Sequence, residues 1–232
     1  ANAEESVRRL LDRLEDGAFT YPMDNGAQIQ VAIRINRTDR SAVFDFTGTS
    51  AQHSGNYNAP FAVCRAVVLY VFRTLVGSNI PLNEGCLEPI TIITPEGTML
   101  NPSYPAAVIA GNTEVSQAAC NALYGALGAM ACSQATMNNF IWGNDEFQNY
   151  ETIAGGTGAG PGFAGCDAVQ THMTNTLMTD PEILEKRFPV RLDTFGIRQG
   201  SGGAGQYRGG HGAGRLHSVL LFDRDICFHA GV

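Results

Sequence analysis

Lysine is nearly absent. Of the 15 basic residues only Lys186 is a lysine, and the rest are arginines scattered singly or in pairs. With a net charge of −7 and no basic run, the chain lacks the electrostatic footprint of a nucleic-acid binder. Long apolar runs are missing too. A membrane span needs about 18 or more apolar residues, and the most apolar segment, Phe61 to Val76, is interrupted by Arg65 and Arg73. The opening Ala1-Asn2-Ala3-Glu4-Glu5 is acidic and polar, unlike a signal peptide. Six cysteines stand at 64, 86, 120, 132, 166 and 227, none as C-x-x-C. Three disulfides are arithmetically open, but a chain of 232 residues, 44% hydrophobic, has core enough without them. Cys64, Cys120 and Cys132 fall in apolar helical runs and read as small core hydrophobes. A reduced, cytoplasmic protein is expected.

Several catalytic devices are also missing. A Walker A loop needs Gly-Lys-Ser/Thr, and the one lysine is followed by Arg187. No G-x-S-x-G elbow occurs. Five histidines, at 53, 172, 211, 217 and 229, show neither H-x-H nor H-x-x-x-H spacing, so no local metal site is expected. Two G-x-G-x-x-G matches, Gly160 to Gly165 and Gly200 to Gly205, neither open a helix nor lead to a suitably placed acid, which argues against a dinucleotide fold.

Glycine is what the chain has in excess. Of 27 glycines, six lie between Gly155 and Gly165 and eight between Gly200 and Gly214. Either these stretches form anion-binding nests of backbone N–H groups, or they are tight turns between close-packed elements. Elsewhere, periodicity predicts the elements. Residues 4–16 form an amphipathic helix ended by Gly17. Residues 28–35 and Ala42 to Phe46 form a hairpin, and Pro60 opens a buried helix to Val76. Short strands follow at Pro89 to Thr94 and Ala106 to Ala110. Glu114 to Cys132 is a helix rich in small residues, its start capped by Asn112 or Thr113 with Glu114 in the first turn. Strands at Phe140 to Trp142 and Asn149 to Ile153 flank a turn over Gly143 to Glu146. A short helix runs from Asp180 to Arg187. Strands are expected at Val190 to Arg198, Ser218 to Phe222 and Ile226 to His229. The fold class is α+β: mixed, mainly antiparallel sheets with hairpins, two long buried helices, and glycine-rich loops in the C-terminal part. The texture changes at residue 150, dividing an α+β core portion (1–149) from a glycine-rich loop and strand portion (150–232) continuous with it.

Two polar positions stand out. Glu151 lies between Tyr150 and Thr152 at a strand end just before Gly155-Gly156, a suitable place for a base or ligand. His172 lies in Thr171-His172-Met173-Thr174-Asn175-Thr176, which can offer several donors and acceptors to one small polar ligand. His211, within the second glycine stretch, is expected to be exposed.

At this point longer motifs accumulate: Asp45-Phe46-Thr47-Gly48-Thr49-Ser50, Gly55-Asn56-Tyr57-Asn58-Ala59-Pro60, Pro81-Leu82-Asn83-Glu84-Gly85 and Gly111-Asn112-Thr113-Glu114-Val115-Ser116-Gln117. Tyr150-Glu151-Thr152-Ile153-Ala154-Gly155-Gly156 leads on to the Thr171 to Thr176 run, then to Asp180-Pro181-Glu182, Arg187-Phe188-Pro189 and Arg198-Gln199-Gly200. In this order, over about 200 residues, they resemble the hydantoinase B/oxoprolinase family, most closely its ATP-dependent 5-oxoprolinase branch.

The resemblance implies opening of the lactam of 5-oxo-L-proline to L-glutamate, coupled to ATP hydrolysis. Relatives that open hydantoins, including N-methylhydantoin, or carboxylate ketones are the alternative. A non-catalytic portion that docks the partner is a third reading. The resemblance also implies a hydantoinase A-like subunit or domain that handles ATP and Mg outside these residues. It covers only the later part of a hydantoinase B-like half, so the chain reads as a fragment inactive alone, in an oligomeric enzyme, with a possible divalent metal site upstream. The partners expected are therefore this ATP-handling part and a small-molecule substrate, with no nucleic acid and no membrane. On this reading Glu151 is the base or the partner of the ring N–H, His172 is acid/base, and Asn175 donates to an oxyanion or carboxylate. Asn56, Asn112, Gly155 and Gly156 bind substrate, and Arg198 or Arg208 pairs with its carboxylate. No metal ligand is assigned.

Overall fold

The computed structural model describes residues 2–77, 83–219 and 227–230, with 215–219 and 227–230 as backbone only. The chain divides into two compact units, Ala1–Ala135 and Thr136–Val232. The fold is α+β.

The first unit is built on a four-stranded sheet in the order β1 (Gly17–Pro22), β2 (Gln28–Asn36), β3 (Ser41–Asp45), β4 (Ile90–Ile93). β1, β2 and β3 are antiparallel neighbours, whereas β4 runs parallel to β3, joined to it through α2 (Phe61–Val76). The alternation along β2 sends Ile29, Val31 and Ile33 to the buried face. There they meet Phe44, Phe72 and Leu123, with the Phe44 and Phe72 rings edge to face at 5.3 Å. Each such side chain contributes about 1.5–3 kcal/mol by leaving water. α2 buries Cys64, Val67, Val68, Val71 and Phe72, and Gly77 ends it in the left-handed conformation at φ 64°.

Four expectations are corrected here. α1 (Asn2–Leu11) stops five residues early, because Arg37 donates to the carbonyls of Leu11, Asp12 and Leu14 and caps the helix. Gly17 does not merely end a helix. It opens β1, where a Cβ would stand 1.9 Å from the Ala126 carbonyl oxygen. Residues 106–110 form no strand, since Asn58 Nδ2 donates to the Ala107 carbonyl and the Ala110 amide donates to the Asn56 carbonyl. α3 (Ser116–Ala126) is shorter than Glu114 to Cys132 and lacks a side-chain cap. A π turn over Gly111–Val115 leads into it, and Asn112 contributes its carbonyl to Ser116 Oγ at 2.7 Å. The small residues of α3 serve as expected: Gly125 lies against the Phe19 ring, where a Cβ would come within 2.8 Å.

The second unit contains the hairpin β5 (Asn139–Gly143) and β6 (Gln148–Thr152), with β9 (Cys227–Ala230) antiparallel on the far side of β5. Asn144 Oδ1 accepts from the amides of Glu146 and Phe147 and closes the hairpin turn. α4 (Pro181–Arg187) is capped by Asp180, which accepts from the Glu182 amide at 3.0 Å. Its Leu184 packs with Trp142 and Val190, flanked by Phe140 and Phe188. β7 (Val190–Ile197) pairs with β8 (Ala213–Val219), which begins five residues before the expected Ser218. Residues 220–222 and 226 of the last two expected strands, and Pro81-Leu82, lie outside the described residues. The change of texture read at residue 150 falls inside this unit, because the hairpin before it pairs with β9.

Candidate functional site

Glu151 occupies the fourth position of β6 and is 2% exposed. Its Oε2 accepts from the Thr179 amide at 3.4 Å, tying the strand to the loop that follows His172. Thr152, beside it, is also buried, and its carbonyl accepts from Gln170 Nε2 at 3.0 Å. Thr171–Thr174 form a tight turn in which the Thr174 amide donates to the Thr171 carbonyl at 3.0 Å. Thr171 and Thr174 are buried. His172 sits in the turn at φ 52°, a left-handed backbone that a non-glycine residue adopts only under constraint from its surroundings. Burial lowers the imidazole to about 4, so His172 is a neutral base at physiological pH. Asn175 is exposed.

The glycine stretches are partners of one another. The Gly210 amide donates to the Thr157 carbonyl at 2.8 Å, that of Thr157 to Cys166 at 3.0 Å, and that of Gly165 to Arg208 at 2.8 Å. A Cβ on Gly156 would stand 2.2 Å from the Gly210 carbonyl oxygen, one on Gly165 2.2 Å from that of Thr157, and one on Gly210 1.9 Å from that of Cys166. Glycine is used here because backbones pass closer than any side chain permits. These amides are engaged within the protein, which supports close-packed turns over an anion nest.

Polar side chains complete the interlock. Asp167 accepts from the His211 amide at 2.7 Å and pairs with Arg208 at 3.2 Å, and those two contacts, in that order, hold its carboxyl below the usual range. His211 is 9% exposed, not open to solvent as expected. Its Nδ1 accepts from the Gly202 amide at 2.8 Å. Ser201 Oγ donates to the Arg198 carbonyl and accepts from the Gly212 amide.

The other expected binding residues separate into groups. Gly155 accepts from the Val169 amide, and Gly156 packs against Gly210. The Arg198 side chain is exposed, and Arg208 is held by Asp167 and the Gly209 carbonyl. Asn56 and Asn112 belong to the first unit, at the entry to the π turn. Reading along the chain missed Asn58. It is fully buried, accepts from the His53 amide, and donates to the carbonyls of His53, Gly55 and Ala107. Its bond to the Ala107 carbonyl, 49 residues away, leaves no signal in the surrounding composition.

Cys64, Cys86 and Cys120 are buried and reduced, and burial pushes Cys64 up to about 12. Cys132 lies beyond the end of α3 and is exposed, contrary to its expected place in a helical core. Among the described residues no group of three or more His, Cys, Asp or Glu can hold a metal ion, and no helix is long and apolar enough to cross a membrane.

The family model for Hydantoinase B/oxoprolinase matches residues 1–225. The chain belongs to the hydantoinase B/oxoprolinase family. Within this family it is 46% identical over 210 residues to a 5-oxoprolinase of Dictyostelium discoideum, covering 90% of this chain and 17% of that protein. The hydantoinase B fold extends to solved structures. A nucleotide-free acetone carboxylase superimposes with a TM-score of 0.81 at 20% identity, over 97% of this chain and 35% of that one. An ATP-dependent caprolactamase from Pseudomonas jessenii gives 0.75 at 22%, over 94% and 42%. The chain thus spans about a sixth of the curated relative's length.

Proposed function

We propose that these residues work as part of an ATP-dependent 5-oxoprolinase, opening the lactam of 5-oxo-L-proline to L-glutamate in the cytoplasm. The observation that carries this reading is the 46% identity to a 5-oxoprolinase across nine-tenths of the chain. The described residues contain no Walker A device, and on this reading ATP and Mg are held by a hydantoinase A-like part of the enzyme. An amide resists water at neutral pH, and phosphorylation of its carbonyl oxygen supplies a leaving group and an electrophilic carbon. The site must then shield that carbon from bulk water.

The second unit offers groups for this. Glu151, buried on β6, serves as the base. His172, neutral at pH 7, takes up and returns a proton. The exposed amide of Asn175 donates to the developing oxyanion, and the exposed Arg198 receives the substrate carboxylate. The interlocked glycines hold the loops that carry these groups.

The test is kinetic. In the complete enzyme, His172→Ala and Glu151→Gln each lower kcat by at least about 100-fold, the lower end for general acid–base groups. A variant that stays folded and keeps parental kcat removes its residue from the site. The acetone carboxylase likeness keeps ketone carboxylation as the second reading. A panel of 5-oxoproline, hydantoins and acetone with the complete enzyme separates the two.

A further inference from the structure

β6 is an outer strand of its sheet, with β5 as its neighbour. Just past their last strand pair, Asn139 with Thr152, the Ile153 amide donates to the Asn138 carbonyl. Bonded and non-bonded pairs alternate along an antiparallel ladder, so the Thr152 peptide groups turn away from β5. Thr152 is 0% exposed, which puts that outward carbonyl out of reach of solvent. A buried carbonyl left without a donor is costly. Here the donor is a side chain, Gln170 Nε2, at 3.0 Å and 18 positions along the chain.

The chain returns to the same place at Thr179, whose amide donates to Glu151 Oε2 at 3.4 Å. Residues 170–179 are therefore a loop fastened at both ends to consecutive residues of one strand, as in an Ω-loop. His172 lies two positions inside the entrance, between the buried Thr171 and Thr174, with its backbone at φ 52°. A non-glycine residue keeps that conformation only where its surroundings impose it. The exit bond is long for an N–H to oxygen contact, whereas the entrance bond has ordinary length and lies closer along the chain to His172. Ahead of it the Val169 amide donates to the Gly155 carbonyl and sets the path of the chain up to the loop.

We propose that Gln170 is a positioning residue: by holding the Thr152 carbonyl it closes the 170–179 loop and fixes His172 in a place shielded from water. The clamp stands on its own contacts, and only its consequence for turnover rests on the proposed acid/base role of His172. The imidazole, lowered by burial to about 4, reports on the clamp. The charged groups at the return end of the loop, Glu151 and Asp180, accept from the amides of Thr179 and Glu182. Protonating the ring near neutral pH requires the loop to open and admit water. Each tenfold rise in the open population therefore moves the apparent titration up by as much as about one pH unit, toward the ordinary value of about 6.5.

Three forms of the 232-residue chain are compared by NMR. They are the parent, Gln170→Met, which keeps the length and loses the donor, and Gln170→Lys, which keeps a donor at the end of a long side chain. The readouts are the titration of the His172 ring protons and the exchange of the Thr174 amide inside the loop. In Gln170→Met, His172 should titrate at least about half a pH unit higher and the Thr174 amide should exchange at least about fivefold faster, as loss of one hydrogen bond requires. Gln170→Lys should return both toward the parent. Unchanged values in Gln170→Met, or changes that Gln170→Lys does not reverse, overturn the inference. If Gln170→Met fails to fold, the parent decides alone: its Gln170 side-chain amide protons must exchange slowly, and free exchange overturns the clamp. Turnover is measured separately in the complete enzyme, where Gln170→Met should lower kcat about fivefold. An unchanged kcat beside a shifted His172 titration removes that ring from the proposed chemistry and leaves the clamp standing.

Discussion

Gly210→Ala should unfasten the second unit, while Gly203→Ala, seven residues away in the same stretch, should not. Neither glycine has a positive φ, so any difference between them is one of space. At Gly210 the new methyl meets the Cys166 carbonyl oxygen at 1.9 Å and the Thr157 amide nitrogen at 2.9 Å. Relieving this requires the backbones to part by more than 1 Å, which breaks the Gly210 to Thr157 and Thr157 to Cys166 hydrogen bonds. Two backbone bonds at about 1 kcal/mol each, plus about 1–3 kcal/mol for overpacking, less a few tenths for the stiffer unfolded chain, give a loss of about 3–5 kcal/mol. For a chain of this size that lowers Tm by about 6–20 °C. At Gly203 nothing lies within 4 Å of the added methyl, and the variant should match the parent or gain up to about 1 kcal/mol. Thermal melts of the three proteins give the comparison, and amide exchange at Thr157, Gly165 and Gly210 locates the change. If Gly210→Ala melts within about 2 °C of the parent with those amides still protected, the interlock does not exist as described.

Stability should also depend on pH through His172. Its imidazole titrates near 6.5 when unfolded and near 4 in the fold. Between these values the unfolded state binds more protons, so stability falls as pH drops through that window, by about 3 kcal/mol in all, and is unaffected above it. Asp167 acts in a different range: its lowered carboxyl stabilises the fold above the ordinary aspartate value and loses that contribution only as pH falls further. Urea melts at pH 7 and pH 4.5 should therefore differ less for His172→Gln than for the parent, and equal differences would show that the ring is not held neutral. Asn58→Ala leaves one amide and three carbonyls in the first unit without their partner and should cost about 3–5 kcal/mol by chemical denaturation. A cost below about 1 kcal/mol would mean water replaces the side chain freely.

The candidate residues were legible to different depths. Glu151 and His172 stood out because their segments are poor in apolar residues, and the structure finds one buried and the other desolvated. Arg208 looked equally available in sequence, yet Asp167, 41 residues away, holds it. Glu114 was read as a local helix feature because a carboxylate near a helix start has an ordinary local explanation. It is 8% exposed, in a π turn that no spacing around residue 114 reveals. β1 itself was missed because Asp16-Gly17 reads as a helix stop, and the case for a strand lies in the register Gly17 to Ile33 with β2.

The sequence by itself determined what depends on neighbours a few positions apart. The alternation in β2, the long apolar helix ended by Gly77, the Asp180-Pro181 helix start and the ordered family motifs all fall in this class. They were readable because backbone periodicity repeats every two to four residues. The tertiary structure decided where backbones from distant segments touch. Gly156 has no room for a Cβ because Gly210, 54 positions away, lies against it, and Gly210 has none because of the Cys166 carbonyl, 44 positions away. In sequence that pairing shows only as two unexplained clusters of one residue. Steric exclusion acts between segments the fold has already brought together, so it leaves a composition in the sequence but no spacing.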